Sequence, residues 1–544
     1  MAREEKLLSR KEVEGLIADG HLIVIYENKV LKVESWLPLH PGGAKVMEHM
    51  VGRDATDEIN CYHSEEARAQ ARRYQIGKIE GAWKNFVPPI QGGKFRPFDE
   101  AVIVSDSSSA SSDDECADTK LKNVNIKTSQ KSCRNVPADN IVVSPVAHDL
   151  PQSQELMAEY EKNLLEADLA KYPSLDYDTQ LSITKKYRQL EAKLQREGYF
   201  RCTYWGYGRE FSRISLLGSL AYFFLKNQYY YVSAFFLGLF WHQLVFIAHD
   251  AAHHAITHSY FWDNIFAVLV ADWFGGLSIG WWKRNHNVHH FVTNDPVHDP
   301  DIQHLPFFAV STKLFGSVFS TYYERTLHYD AFAKALIKIQ NYMYYPLLCL
   351  GRFNLYRLSF EYLLLRQGPR KGKAVWISYF EIAGLIFFWY WFGYRLVYVL
   401  LPNGRIRFAY VMISHIVTMP VHVQITLSHF AMSTVDLGQS ESFAQKMLRT
   451  TMDVDCPSWL DFIHGGLQFQ AVHHLFPRMP RHNFRAAQAP VIEFCKDVGI
   501  EYCIYGFYDG NKEVISRLAD IAKQAVIMAE CSNHMAQEAR LGKF

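Results

Sequence analysis

The chain is expected to fold as a small α+β domain followed by an all-α polytopic membrane domain of about four transmembrane helices plus interfacial helices. Three observations carry this expectation. Residues 1 to about 85 alternate short apolar runs with turn and helix signals. Four later segments, roughly 213–228, 229–248, 374–399 and 406–427, approach the ~20 apolar residues that a spanning helix requires. Beside them stand three histidine clusters, His249-Asp250-Ala251-Ala252-His253, His286-Asn287-Val288-His289-His290 and Gln470-Ala471-Val472-His473-His474.

In the N-terminal domain (1–85), Leu22-Ile23-Val24-Ile25-Tyr26 and Lys29-Val30-Leu31-Lys32-Val33 read as strands. Residues 105–115 hold no apolar side chain larger than alanine, so 86–150 is expected to be a disordered Ser/acid-rich linker, a solvated spacer. Residues 151–210 regain helical periodicity with dense charge and are expected to form a soluble helix or two. The membrane domain then occupies 211–510, with a C-terminal helical tail at 511–544. Its first two apolar segments, separated by Lys226-Asn227-Gln228, suggest a tight helical hairpin. The segment Phe261 to Trp282 carries Asp263, Asp272, Gly275 and Gly276, and is expected to be interfacial or re-entrant. Residues 341–365, interrupted by Arg352, Arg357 and Glu361, get the same reading. Arg366, Arg370, Lys371 and Lys373 precede the third apolar segment, which assigns that side to the cytosol. An even number of spans before each cluster places all three clusters, and the N-terminal domain, on that face.

Composition narrows the functional classes. A formal net charge of +1 provides no field for nucleic acid or acidic substrates. The 15% aromatic content gathers in runs such as Phe388-Trp389-Tyr390-Trp391-Phe392, as at membrane interfaces. Nine cysteines form no CxxC pair, which fits a reducing compartment. The N-terminus Met-Ala-Arg-Glu-Glu-Lys lacks an apolar core, so the chain is expected to start in the cytosol without a cleaved signal.

Two motif sets carry chemistry. His40-Pro41-Gly42-Gly43 is followed by Gly52-Arg53-Asp54-Ala55-Thr56 and Cys61-Tyr62-His63. An electron-transfer haem needs two strong axial ligands and no open position, which two histidines on separate loops can supply. These residues resemble the cytochrome b5 family, and the likeness extends to Arg73-Tyr74-Gln75-Ile76-Gly77-Lys78-Ile79, similar to the segment that closes that family's haem pocket. The resemblance implies haem b with His40 and His63 as axial ligands. His21 and His49 are expected to be exposed.

Imidazole is a good ligand for iron, and on a helix residues three or four apart share a face. Cysteine, which an oxidising metal centre would attack, is absent from all three clusters. The arrangement HxxxH, HxxHH and QxxHH resembles the membrane fatty-acyl desaturases, and Gln470 with an N-terminal b5 domain resembles their front-end branch. This implies two iron ions held by His249, His253, His286, His289, His290, His473 and His474. His429, near the end of the last span, is the candidate for a further ligand. Gln470 binds iron or acts through a hydrogen bond to a ligand. Asp250, Asp299 and Asp301 are candidate acceptors that fix imidazole tautomers.

The other histidines stand outside the pattern. His242, His254 and His258 are not expected to bind metal. His298, His304, His464 and His482 are expected to hydrogen-bond around the site or line a substrate entrance. His415 and His422, within the last span, are expected to make helix–helix hydrogen bonds.

The run Gly275 to His286, with Asn294-Asp295-Pro296 and His298 to Pro306, most resembles fungal sphingolipid delta-8 desaturases. That resemblance implies an O2-dependent double bond in the long-chain base of ceramide, for glucosylceramide. It also implies electrons from NADH through a flavin-containing cytochrome b5 reductase, and residence in the endoplasmic reticulum membrane. A front-end delta-5 or delta-6 fatty acyl desaturase is the alternative. A b5-linked lipid hydroxylase and a non-enzymatic haem carrier are further readings.

Overall fold

The computed structural model describes residues 6–85, 152–372 and 374–540. The expected linker at 86–150 lies outside the described residues, as do the last four residues of the tail. In the N-terminal domain Leu7–Leu8 (β1), Ile23–Tyr26 (β2), Lys29–Lys32 (β3) and Gln75–Ile79 (β4) form one sheet in the order β1-β4-β3-β2. The two strands expected from sequence are β2 and β3. They join through Glu27 and Asn28, both at positive φ (51° and 61°), as a tight antiparallel hairpin requires. The segment 73–79 supplies β4, paired to both β1 and β3.

Helices Arg10–Ala18 (α1), Ala44–Glu48 (α2), Thr56–Tyr62 (α3) and Glu65–Ala71 (α4) complete the domain. Ser9 and Glu12 cap α1 reciprocally, and Ser64 caps α4. Val13, Ile17, Ile23, Ile25, Val30 and Val51 form the core beneath them.

Two helices follow, Gln152–Lys171 (α5) and Tyr177–Arg196 (α6). Asp176 caps α6 by accepting from the Thr179 amide at 2.9 Å. Ile183, Tyr187, Leu190 and Leu194 recur at helical spacing, so one face of α6 is buried and the other is polar.

Tyr204–Lys226 (α7) and Tyr230–Ala252 (α8) make the expected hairpin, with Gln228 at φ 65° in the turn. Phe224 stacks on Phe236 at 5.5 Å, and Ser233 Oγ donates to the Ala221 carbonyl at 2.7 Å. Tyr260–Val268 (α9), prolonged by a π-helical turn Leu269–Phe274, meets Ile279–Phe291 (α10) at a 116° bend. Two short helices, Gln340–Leu348 (α11) and Gly351–Leu364 (α12), occupy the second segment expected to be interfacial. Then come Val375–Phe388 (α13), continuing as a π-helix to Leu400, Gly404–Ile416 (α14) and Met419–Phe430 (α15). Pro420, without an amide N–H, accounts for the break between α14 and α15.

Among the described residues, Tyr230–Ala252, Val375–Leu400 and Gly404–Phe430 are long and apolar enough to cross a membrane, and the bent pair α9–α10 brings the number to four if it is one span. The expected span at 213–228 is not among them. Arg209, Glu210 and Arg213 make the first half of α7 too polar, and Glu210 is buried in an ion pair with Arg481. Its 23 residues still run roughly 34 Å beside α8, so the hairpin reaches the far end of that helix.

Further elements toward the C-terminus are Phe443–Thr450 (α16), Asp453–Asp455 (β5), Gln470–Leu475 (α17), Phe484–Val498 (α18), Ile504–Gly506 (β6) and Phe507–Arg540 (α19). β5 and β6 pair in parallel. The expected C-terminal tail is helical, but its first half is core. Val514 and Leu518 pack with Phe308, Tyr344 and Leu427, and Ile521 and Ala525 with Leu314 and Ile337.

Arg449 on α16 is buried and forks onto Glu441 at 2.8 and 2.9 Å, with Asp168 of α5 at 3.1 Å. Breaking such a pair strands a buried carboxylate. Arg449→Ala is expected to destabilise the protein by about 3–5 kcal/mol. Arg357→Ala, which removes an exposed pair with Glu361, should cost about 0.5 kcal/mol or less. Thermal unfolding in detergent compares the two, and equal losses would contradict this reading of the Arg449 network.

Candidate metal centre and haem site

The three histidine clusters, 33 to over 200 residues apart in sequence, converge. His249 and His253 close α8, and His286, His289 and His290 share one face of α10. His473 and His474 lie on α17, and His429 ends α15. Donor atoms of His249, His253, His286 and His473 lie within 4.8 Å of one another, and those of His289, His429 and His474 form a second such group. His290 stands between the groups, stacked on His474 at 4.1 Å and edge-on to His286 at 4.5 Å. Because the first two clusters share one group, the segment Phe261 to Trp282 leaves them on the same side.

Local sequence explains the convergence. Gly465 sits at φ 59°, where a Cβ would lie 2.0 Å from the Phe246 ring, so only glycine lets the loop before α17 close on α8. Asp453 on β5 accepts from the Ala471 amide at 2.8 Å and from Gln488 at 2.8 Å, which anchors the start of α17. Burial pushes its carboxyl up to about 6 against these hydrogen bonds. Asn294 donates to the His429 carbonyl at 2.9 Å and ties the end of α15 to the loop after α10.

The rings fit metal. His249, His253, His289 and His474 each leave Nε2 buried with no hydrogen-bond partner; His290 leaves Nδ1, and His473 leaves both nitrogens. A stranded buried polar atom costs about 1–3 kcal/mol, so such a cluster is sustained by an occupant that the lone pairs can bind. Carboxylates hold several rings from behind. His289 Nδ1 donates to Asp299 at 2.8 Å, and His249 and His286 approach Asp250 and Asp301 at 3.6 and 3.7 Å. Asp299 also accepts from the Asn294 and Asp301 amides, at 2.7 and 2.8 Å, so it serves as an orienting acceptor behind the ring. Thr293 Oγ lies 3.4 Å from His474 Nδ1, and the Thr450 carbonyl 3.4 Å from His429 Nδ1.

Gln470 is buried one turn before His473 and His474, and no hydrogen bond of its side chain is described. Arg481, which no motif in the sequence singles out, donates to Asp250 at 2.8 Å and also pairs with Glu210. His482 meets the same Glu210 at 2.9 Å, so it supports this network. Nothing in the spacing of Arg481 or Glu210 marks them, because they meet only through the fold.

Other histidines divide. His21 pairs with Glu34 at the surface as expected. His49 does not stay exposed. It is buried edge-on to His298 at 5.1 Å, because the N-terminal domain docks on the 295–324 segment. His415 bonds within its own helix, to the Val411 carbonyl at 2.7 Å, and stacks on Phe353 at 4.5 Å, in place of the expected helix–helix hydrogen bond. No helix–helix bond of His422 is described; its ring packs against Gly351. His242 bonds to Gln243, His254 to Lys283, and His258 to the Phe200 carbonyl, all outside the two metal groups.

In the N-terminal domain the His40 and His63 rings face each other with centroids 6.0 Å apart. Each Nδ1 donates to a carbonyl, His40 to Gly43 at 2.9 Å and His63 to Ile59 at 3.0 Å, which leaves both Nε2 lone pairs free. At Gly42 a Cβ would fall 2.9 Å from the His40 ring. Burial, and then the charge of His40, push the His63 imidazole down to about 4, so the pair is neutral near pH 7. The geometry suits one metal atom between two axial imidazoles, as in haem.

Removing a carboxylate behind a ligand tests this arrangement. Asp250→Asn and Asp299→Asn should each weaken metal retention roughly 10- to 100-fold while the haem absorbance stays intact. Elemental analysis after mild chelation reads the effect, and full retention in both variants would detach these carboxylates from the centre.

Comparisons with known proteins agree with the site. Residues 228–506 match the fatty acid desaturase family, and residues 9–80 match the cytochrome b5-like haem/steroid-binding domain. A Delta 8-(E)-sphingolipid desaturase of Emericella nidulans is 54% identical over 535 residues, 98% of each chain. One from Candida albicans is 50% identical, again over 98% of each chain. A Delta(8)-fatty-acid desaturase of Helianthus annuus is 36% identical over 64% of this chain and 76% of its own. With its haem-type histidine pair and its two histidine groups, the chain belongs to the fatty acid desaturase family and carries a fused cytochrome b5-like domain.

Proposed function

We propose that this protein introduces the delta-8 double bond into the sphingoid long-chain base of ceramide, for glucosylceramide synthesis. The observation that carries the reading is end-to-end similarity, at 50–54% identity, to proteins named Delta 8-(E)-sphingolipid desaturases. The intact pair of histidine groups supports it.

In this reading two irons are held by His249, His253, His286, His289, His290, His429, His473 and His474, with Gln470 as a direct or hydrogen-bonded participant. Bound iron supplies the activation of O2 against an unactivated C–H bond. The residues of the chain do the rest. Neutral imidazoles ligate, and Asp250, Asp299 and Asp301 fix their tautomers. The buried cluster excludes water, and the walls around it position one methylene pair. No side chain has to act as acid, base or nucleophile. O2 takes four electrons and the two C–H bonds yield two, so two more are needed, and a haem held by His40 and His63 would supply one-electron transfer for them. An NADH-dependent flavoprotein, the cytochrome b5 reductase, is the proposed source. The endoplasmic reticulum membrane is the proposed location. Both modules would face the cytosol, as the basic residues Arg366, Arg370 and Lys371 favour.

Expression in a host lacking the activity tests the substrate. The expected product is a long-chain base two hydrogens lighter, with the new bond at carbons 8 and 9. New unsaturation confined to fatty acids would support the acyl alternative, and an added oxygen atom would support a hydroxylase. His289→Ala and His473→Ala should abolish the product and leave the haem spectrum unchanged. Retained activity in either would contradict the proposed ligand set.

A further inference from the structure

The N-terminal domain is seated on the helix that bears the second histidine cluster. Arg284, Asn287, Val288 and Phe291 recur at i, i+3, i+4 and i+7 along α10, so they share one face. That face meets the N-terminal domain along its length. A Cβ on Gly43 would lie 3.8 Å from Arg284 and one on Gly42 3.4 Å from Asn287, while Val46 packs with Val288. Tyr62 packs on Phe291 at 4.8 Å. His286, His289 and His290 leave the same helix toward the metal groups. Arg188–Asp57 at 2.5 Å and the Lys45–Glu324 ion pair brace the contact.

At Tyr62 the docked domain also reaches the histidine-bearing face. The Tyr62 ring lies edge-on to His290, with centroids 5.6 Å apart and planes at 76°. Tyr62 is the chain neighbour of His63, and His290 is in ring contact with members of both metal groups. The Tyr62 hydroxyl is buried without a hydrogen-bond partner, so no polar contact of the side chain accounts for its placement.

We propose that Tyr62 is the bridge through which electrons pass from the haem to the iron centre, ring to ring through His290. The inference rests on the desaturase reading and adds the path. In each passage one electron leaves ferrous haem, which becomes ferric, and reduces one iron of the centre. Two passages serve each double bond, and no bond forms or breaks at Tyr62. The ring provides the coupling; the hydroxyl is not required.

The test uses purified holoenzyme whose haem is reduced anaerobically with NADH and the reductase, then mixed with O2 and ceramide while the haem band is followed. Tyr62→Leu should slow haem reoxidation by roughly tenfold, equivalent to about 1.4 kcal/mol on the barrier. Its haem content, spectrum and reduction potential should not change. Tyr62→Phe should keep the wild-type rate, as should Asn287→Ala, which interrupts the other line of contact. Wild-type kinetics in a haem-replete Tyr62→Leu would overturn the proposal, and so would a Tyr62→Phe as slow as the leucine variant. Should the leucine variant lose haem, Tyr62→Met takes its place with the same expected slowing. Product analysis of the same wild-type samples reads the substrate assignment separately, because reoxidation kinetics do not depend on which methylene pair is oxidised.

Discussion

Imidazole nitrogens buried without hydrogen-bond partners cost about 1–3 kcal/mol each, and this protein gathers them at His249, His253, His289, His290, His473 and His474. Such a cluster holds together only if something binds the lone pairs. Much of the surrounding structure can be understood as the means of holding those rings in place. Asp250 and Asp299 stand behind two of them, Arg481, itself paired with Glu210, holds Asp250, and Asp453 fixes the start of α17. The supports come from segments far apart in sequence, so the centre stabilises the fold only once the fold has formed it.

The docking of the haem domain follows from the same economy of surface. α10 has two faces, and both are used. One carries three histidines into the metal groups, and the other receives the loops and helix ends around His40 and His63. The N-terminal domain and the three clusters therefore share one side of the membrane domain, whichever side of the bilayer that is.

The strands β2 and β3, the His40–His63 pair and all three clusters were legible because each is set by local pattern: alternation, a glycine turn, or helical spacing of histidines. His429 was reachable only through the resemblance, which implies a further ligand near the end of the last span; the structure groups it with His289 and His474. The segment 213–228 misled because its apolar length was read apart from the turn before it, where Arg209 and Glu210 join Arg213 in making the first half of α7 polar. His49 misled because its burial depends on a docking surface at His298 and Thr321. Arg481 and Asp453 carry no local signature, and their roles exist only in three dimensions. Gln470 was singled out by the resemblance alone, and the structure shows it buried at the start of α17.

The central claim is that two histidine groups hold two irons beside a haem held by His40 and His63. Metal and haem analysis of the purified full-length protein addresses it most directly. The account expects two non-haem irons and one haem per chain, one iron for each histidine group. Zinc in place of iron, or haem without non-haem iron in protein with full desaturase activity, would contradict it.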